Sequence, residues 1–162
     1  MVIQLAKAMV PGMRVIASAN RDESRQWVRS LGADETVRHG EALGEDVLRV
    51  APEGVDCIFS TNSRGQLPVF VEILKPFGQI VAIDDPGALD VAPLKAKSLT
   101  WHWELMFTRS LFQTQDMIEQ HSLLNRIASM VDAGAIRSTL TQTLNPNNAE
   151  SFRKAHAIVA SG

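Results

Sequence analysis

"RVIASANRDES", residues 14–24, carries the reading that decides the fold. Arg14 to Ala19 is a short run of small and β-branched residues and reads as a strand. At Ser18-Ala19-Asn20-Arg21 that run breaks off, and a charged pattern of helical period begins. A strand that turns at once into a helix is the start of a strand–helix–strand unit. In open α/β sheets, ligands bind outside the carboxyl ends of the strands. Ser18, Asn20 and Arg21 are therefore candidate ligand contacts.

The alternation continues on both sides of this stretch. "VIQLAKAM" (2–9) reads as a helix stopped by Pro11-Gly12. The helix at about 22–31 takes Asn20 or Asp22 as N-cap, and Asn20 with Glu23 resembles a capping box. It turns Trp27, Val28 and Leu31 inward and ends at Gly32. "DETVR" (34–38) is a weak strand, and a helix over 41–51 sets Leu43, Val47 and Val50 on one face. Pro52-Glu53-Gly54 turns the chain into a strand at 55–60, "VDCIFS". "TNSRG" (61–65) opens a helix with Leu67, Phe70, Val71 and Leu74 at helical spacing and Pro68 in its first turn. "KPFG" (75–78) breaks that helix before a strand at 79–84, "QIVAID". An irregular stretch then leads to a long strand-like run, "SLTWHWELMF" (98–107). A helix at about 115–132 carries Met117, Leu124 and Val131, with Thr114 as cap and Gly134 as terminator. A last amphipathic helix covers about 148–160.

Strands that alternate with helices, and are apolar on both faces, belong to a parallel sheet covered by helices. With 162 residues, 45% of them hydrophobic, the chain suits one α/β domain with a sizeable core. A net charge of -2 with scattered Lys and Arg gives no footprint for nucleic acid or anionic membranes. No run approaches the ~18 apolar residues of a membrane span. Met1 leads directly into "VIQLAKAM", so no signal peptide is expected. The lone cysteine excludes an intrachain disulfide and suits the reducing cytoplasm. Cys57 lies in an apolar strand and is expected to be buried. His39, His102, His121 and His156 are too dispersed for zinc-ligand spacing, so no metal site is expected in this chain.

"IQLAKAM", "SLGADETV", "GVDCIFST", "LKPFGQIVAIDDP" and "KSLTWHWELMFTRSLFQT" together resemble the cofactor domain of medium-chain dehydrogenase/reductases. The nearest branch is the zinc-type alcohol dehydrogenase-like, quinone oxidoreductase-like proteins. The resemblance covers essentially the whole chain, and "WHWELMFTRS" is its most distinctive part. It implies a Rossmann-like, doubly wound parallel sheet. It also implies a first strand and a glycine-rich turn directly before the "IQLAK" helix, and a separate catalytic domain. Residues 1–162 contain none of these, so the expectation is a partial NAD(P)-binding domain without its first strand.

The resemblance gives the strand ends a meaning. The second family strand ends near the adenosine ribose, where an acid accepts from the 2′-hydroxyl of NAD and an Arg accommodates the 2′-phosphate of NADP. Here Ser18, Asn20 and Arg21 are donors and no acid ends the strand, which implies NADP(H). The bland reading is a capped helix with a solvated arginine. Thr61 and Asn62 follow the next strand and become cofactor contacts, although by themselves they are an ordinary loop. Ile83 and Asp84 would line the nicotinamide side, whereas Asp84-Asp85-Pro86-Gly87 alone reads as a turn.

In "TWHWE", strand alternation puts Trp101 and Trp103 on one face and His102 and Glu104 on the other. A structural His–Glu pair is favoured there over an acid–base pair. The aromatic edge suits a homodimer through 98–107. The resulting expectation is the cofactor-binding part of an NADPH-dependent oxidoreductase. Its small-molecule substrate would be an enone, quinone, aldehyde or alcohol. The alternative is a non-catalytic Rossmann-like binding or dimerisation module.

Overall fold

The computed structural model describes residues 1–160. Helix α1 (Val2–Met9) leads through a turn at Pro11-Gly12 into strand β1 (Ile16–Ser18). Next come α2 (Asp22–Ser30), β2 (Glu35–Val37), α3 (Leu43–Val50), β3 (Val55–Ser60) and α4 (Leu67–Ile73). Strand β4 (Leu74–Ala82) runs into a 3₁₀ segment (Ala92–Lys97) and then β5 (Thr100–Trp103). The chain finishes with α5 (Thr108–Leu111), α6 (Ile118–Asp132) and α7 (Ala149–Ala160).

All strand pairs are parallel. They form two sheets, β1-β2 and β3-β4-β5, and β1 does not pair with β3. Read across both sheets, the order is that of the doubly wound 3-2-1-4-5-6 arrangement without a strand at position 1. A shared core joins the sheets. Val37, Val47 and Ile73 are buried together, with Ile16 of β1 and Val55 and Ile58 of β3 packed around them. Arg14 Nη2 also donates to Val50 O (2.9 Å), tying the start of β1 to the end of α3. A second cluster, Leu67, Phe70, Leu74, Ile80 and Leu94, lies between α4, β4 and the 3₁₀ segment. Each such side chain contributes roughly 1.5–3 kcal/mol by leaving water.

Several elements differ from the sequence expectation, each for a physical reason. Strand β4 starts at Leu74, because "KPFG" bulges within the strand instead of separating the helix from a strand at 79–84. The register steps from Val55↔Leu74 to Cys57↔Gln79, with Phe77 at φ +65° on the bulge. Gly54 makes this close approach possible: a Cβ there would sit 2.5 Å from Ile73 O. The run 98–107 yields only four strand residues, since Ser98 is left-handed (φ +50°) and Leu105 O already accepts from Thr108 N in a turn. Cys57 is exposed, not buried. Paired parallel residues share a face. Ile58, Ile80 and Trp101 therefore point into the core, while Cys57, Phe59 and His102 point to the uncovered face. The thiol is nonetheless held above its ordinary value by partial desolvation and by the charge of Asp56. Thr114 does not cap α6; its hydroxyl donates to Asp116 Oδ1 (2.6 Å). Met117, Leu124 and Val131 are all exposed. Gly134 at φ +71° ends α6, as the sequence predicts, and Asn148, expected inside the last helix, instead precedes α7, where its Oδ1 accepts from Ser151 N (2.9 Å).

Candidate functional site at the carboxyl ends of the strands

A parallel strand that is followed by a returning helix delivers its carboxyl end to the same edge as its neighbours. Ser18, Asn20 and Arg21 leave β1 at that edge, Thr61 and Asn62 leave β3, and Ile83 and Asp84 leave β4.

Ser18 is exposed at the last position of β1, and Ala17 and Ala19 on either side are buried. Ala19 N continues the ladder to Val37 O (2.8 Å). Asn20 is not the helix cap that its spacing from Glu23 suggests. Its Oδ1 accepts from His39 N (3.0 Å), joining the end of β1 to the end of β2. Arg21, in extended conformation, occupies the N-cap of α2, where no side chain caps the helix. Trp27, expected inward, is 37% exposed and lies under the Arg137 guanidinium at 5.4 Å. Leu31 is buried as expected. Asp22 is exposed and pairs loosely with Arg25 (3.6 Å), whose Nε donates to Ala19 O (3.0 Å).

At β3 and β4, Thr61, Asn62 and Ile83 are all exposed. Asp84 is differently placed. Its Oδ2 accepts from Ser63 N (2.6 Å) and its Oδ1 from the Ser63 hydroxyl (2.8 Å). Burial by itself raises this carboxyl, but the two Ser63 donors and the charge of Arg64 outweigh it and hold the group below its ordinary value. The turn that the "DDPG" run suggests belongs to Asp85, whose Oδ1 accepts from Gly87 N (3.0 Å). Sequence reading missed Ser60 and Ser63, both buried. The available signal was a pair of small hydroxyls three apart at a strand end, where orphan donors need acceptors.

The edge thus presents a hydroxyl, an amide and a guanidinium beside β1, and a hydroxyl, an amide and an isoleucine beside β3 and β4. His102 and Glu104 are exposed and not bonded to each other. Among the described residues no group of three or more His, Cys, Asp or Glu could hold a metal ion.

Residues 1–129 match the profile of a family described as zinc-binding dehydrogenase. The chain belongs to the zinc-binding dehydrogenase family. A zinc-type alcohol dehydrogenase-like protein of Staphylococcus aureus is 34% identical over 160 residues, which cover 96% of this chain and 47% of that protein. The crystal structure of a candidate zinc-dependent alcohol dehydrogenase from Rhizobium etli superposes with a TM-score of 0.89 at 39% identity, over 99% of this chain and 47% of that one. A mycobacterial protein solved in complex with NADPH shares the fold at a TM-score of 0.73 and 16% identity, over 98% of this chain and 48% of its own. The chain therefore spans about half the length of the zinc-binding dehydrogenase relatives it matches. Among its described residues no helix is long and apolar enough to cross a membrane.

Proposed function

We propose that this chain is the dinucleotide-binding part of an NADP(H)-dependent oxidoreductase acting on a small enone, quinone, aldehyde or alcohol. One observation carries the reading: β1 ends in Ser18, Asn20 and Arg21, all donors, with no carboxylate where NAD-specific folds keep one. The nearest acid, Asp22, is already inside α2 and paired with Arg25. Arg21 offers a planar fork of N–H groups suited to a 2′-phosphate. Ser18 and Asn20 stand beside it, and Thr61, Asn62 and Ile83 hold the remainder of the dinucleotide.

When bound, the nicotinamide supplies the hydride chemistry. This chain's residues bind and orient the cofactor. Kinship with zinc-type alcohol dehydrogenase-like proteins, and the fold shared with an NADPH-bound protein, support the same reading. The protein is further proposed to act in the reducing cytoplasm as a homodimer through β5.

Fluorescence titration with NADPH and NADH tests the reading. The chain is expected to favour NADPH, and Arg21→Ala to lose roughly 1.5–3 kcal/mol of that preference, the worth of a charge-assisted contact. An unchanged preference removes Arg21 from the site.

A further inference from the structure

The loop after β3 is held from below by three side chains. Ser63 is 0% exposed and Ser60 is 5% exposed. The Ser63 hydroxyl has a single proton. The charged acceptor takes it, at Asp84 Oδ1 (2.8 Å). The 2.9 Å contact between the Ser63 and Ser60 hydroxyls is therefore made by the Ser60 proton. Ser63 N gives its hydrogen to Asp84 Oδ2 (2.6 Å), so both carboxylate oxygens serve the loop. Ser63 O in turn accepts from Gln66 N (3.0 Å), in the turn that opens α4.

This latch joins the last residue of β3 to the segment leaving β4. It draws Ser63 into the core and leaves Thr61 and Asn62, the two residues between the serines, exposed on the arch. Beside them Ile83 N bonds Ser60 O (3.1 Å), which fixes the exposed isoleucine to the same frame. Asp84 holds this frame in place while its own oxygens face inward.

We propose that Asp84 is a positioning residue for the dinucleotide. Acting through Ser63, it sets the height of Thr61 and Asn62 relative to Ile83 and so shapes the half of the cleft away from β1. The inference rests on the dinucleotide reading of this edge. It adds that the cleft has two separately built halves: an adenosine-phosphate half at β1 and a nicotinamide half whose geometry depends on Asp84.

Two ligands separate the halves: NADPH, and adenosine 2′,5′-bisphosphate, which carries only the adenosine half. Asp84→Asn replaces one acceptor oxygen with an NH₂ group, a donor facing a donor. The variant is expected to bind NADPH roughly tenfold more weakly, as misplaced contacts do, while its affinity for the bisphosphate stays within about twofold. Ser63→Ala keeps the backbone bond and is expected to fall between the two, which preserves the test should Asp84→Asn fold poorly. Without ligand, Asp84→Asn should also lose hydrogen-exchange protection at the Ser63 amide. Equal NADPH binding by variant and parent overturns the proposal. So does parallel loss of both ligands with a lowered melting temperature, because that marks a merely structural carboxylate. Unchanged Ser63 protection overturns the latch whatever the ligand result. Failure of the parent chain to bind NADPH while the latch persists would instead overturn the dinucleotide reading.

Discussion

Two aspartates at helix and strand ends illustrate how far single residues can be read from sequence. Asp46, in the first turn of α3, carries no local signal in the sequence that marks it for burial, yet its side chain is 5% exposed. It accepts from Arg38 N (3.0 Å), Arg38 Nε (2.8 Å), Arg38 Nη2 (2.8 Å) and Arg49 Nη2 (3.3 Å). The Arg38 side chain is the largest cause that holds this carboxyl well below its ordinary value of 3.8. A depressed folded-state value stabilises the protein fully above the unfolded-state value, and the stabilisation is lost as pH falls through the folded one. Asp46→Asn is therefore expected to lower the urea midpoint at neutral pH and to lose less further stability than the parent between pH 7 and pH 3. Equal losses in the two proteins would show that Asp46 carries none of the acid sensitivity. Local spacing did reveal the donor-only end of β1. It gave Asn20 a capping role that its bond to His39, 19 residues away, replaces, and it did not reveal that Asp84 bonds Ser63, 21 residues away. Bonds of that range depend on which strands are neighbours, and no local pattern encodes that.

At the scale of elements, strands and helices announce themselves through periodicity, whereas their ends answer to tertiary demands. Strand β3 spans the residues its sequence predicts, because turn residues bound it on both sides. Strand β4 gains Leu74 to Gly78 because Val55 is available to pair with Leu74 and because Gly54 lets the backbones meet. Strand β5 loses its predicted continuation: Trp103 is 56% exposed, and Leu105, Met106 and Phe107 follow as an exposed turn. β5 is the edge of its sheet, and Trp101 and Trp103 stack edge-to-face there at 5.2 Å. An apolar, aromatic edge of this kind is an aggregation risk unless another chain covers it. Sedimentation velocity is expected to find a dimer for the parent chain and a monomer for Trp103→Lys, since a charge cannot be buried unpaired in such a contact. If both sediment as the same monomer, β5 is not an interface.

Across the whole molecule, the alternation of strands and helices marked a parallel sheet, and the doubly wound strand order came from the family resemblance. What the sequence left open was how the two sheets meet, and the structure answers through α3, α4 and Arg14 rather than by pairing β1 with β3. This has a measurable consequence. Along a strand, backbone groups point alternately to either side. Ser60 O is turned to β4, where it accepts from Ile83 N (3.1 Å), so the N–H groups of Cys57 and Phe59 face the opposite edge. Ala19 N is turned to β2, so those of Ile16 and Ser18 likewise face away from their only partner strand. Strand β4, by contrast, is flanked by β3 and β5 and has neighbours for both sets of groups. Exchange of an amide with solvent requires its hydrogen bond to open, and protection grows with local stability. In dilute solution the amides of Ile16, Ser18, Cys57 and Phe59 should therefore exchange orders of magnitude faster than those of Ile80 and Ala82, which lie in the buried centre of the three-stranded sheet. Equal protection at both sets of residues would mean that β1 and β3 have closed on each other in solution. Uniformly fast exchange would mean that the shared cluster of Val37, Val47 and Ile73 is too small to hold the two sheets together.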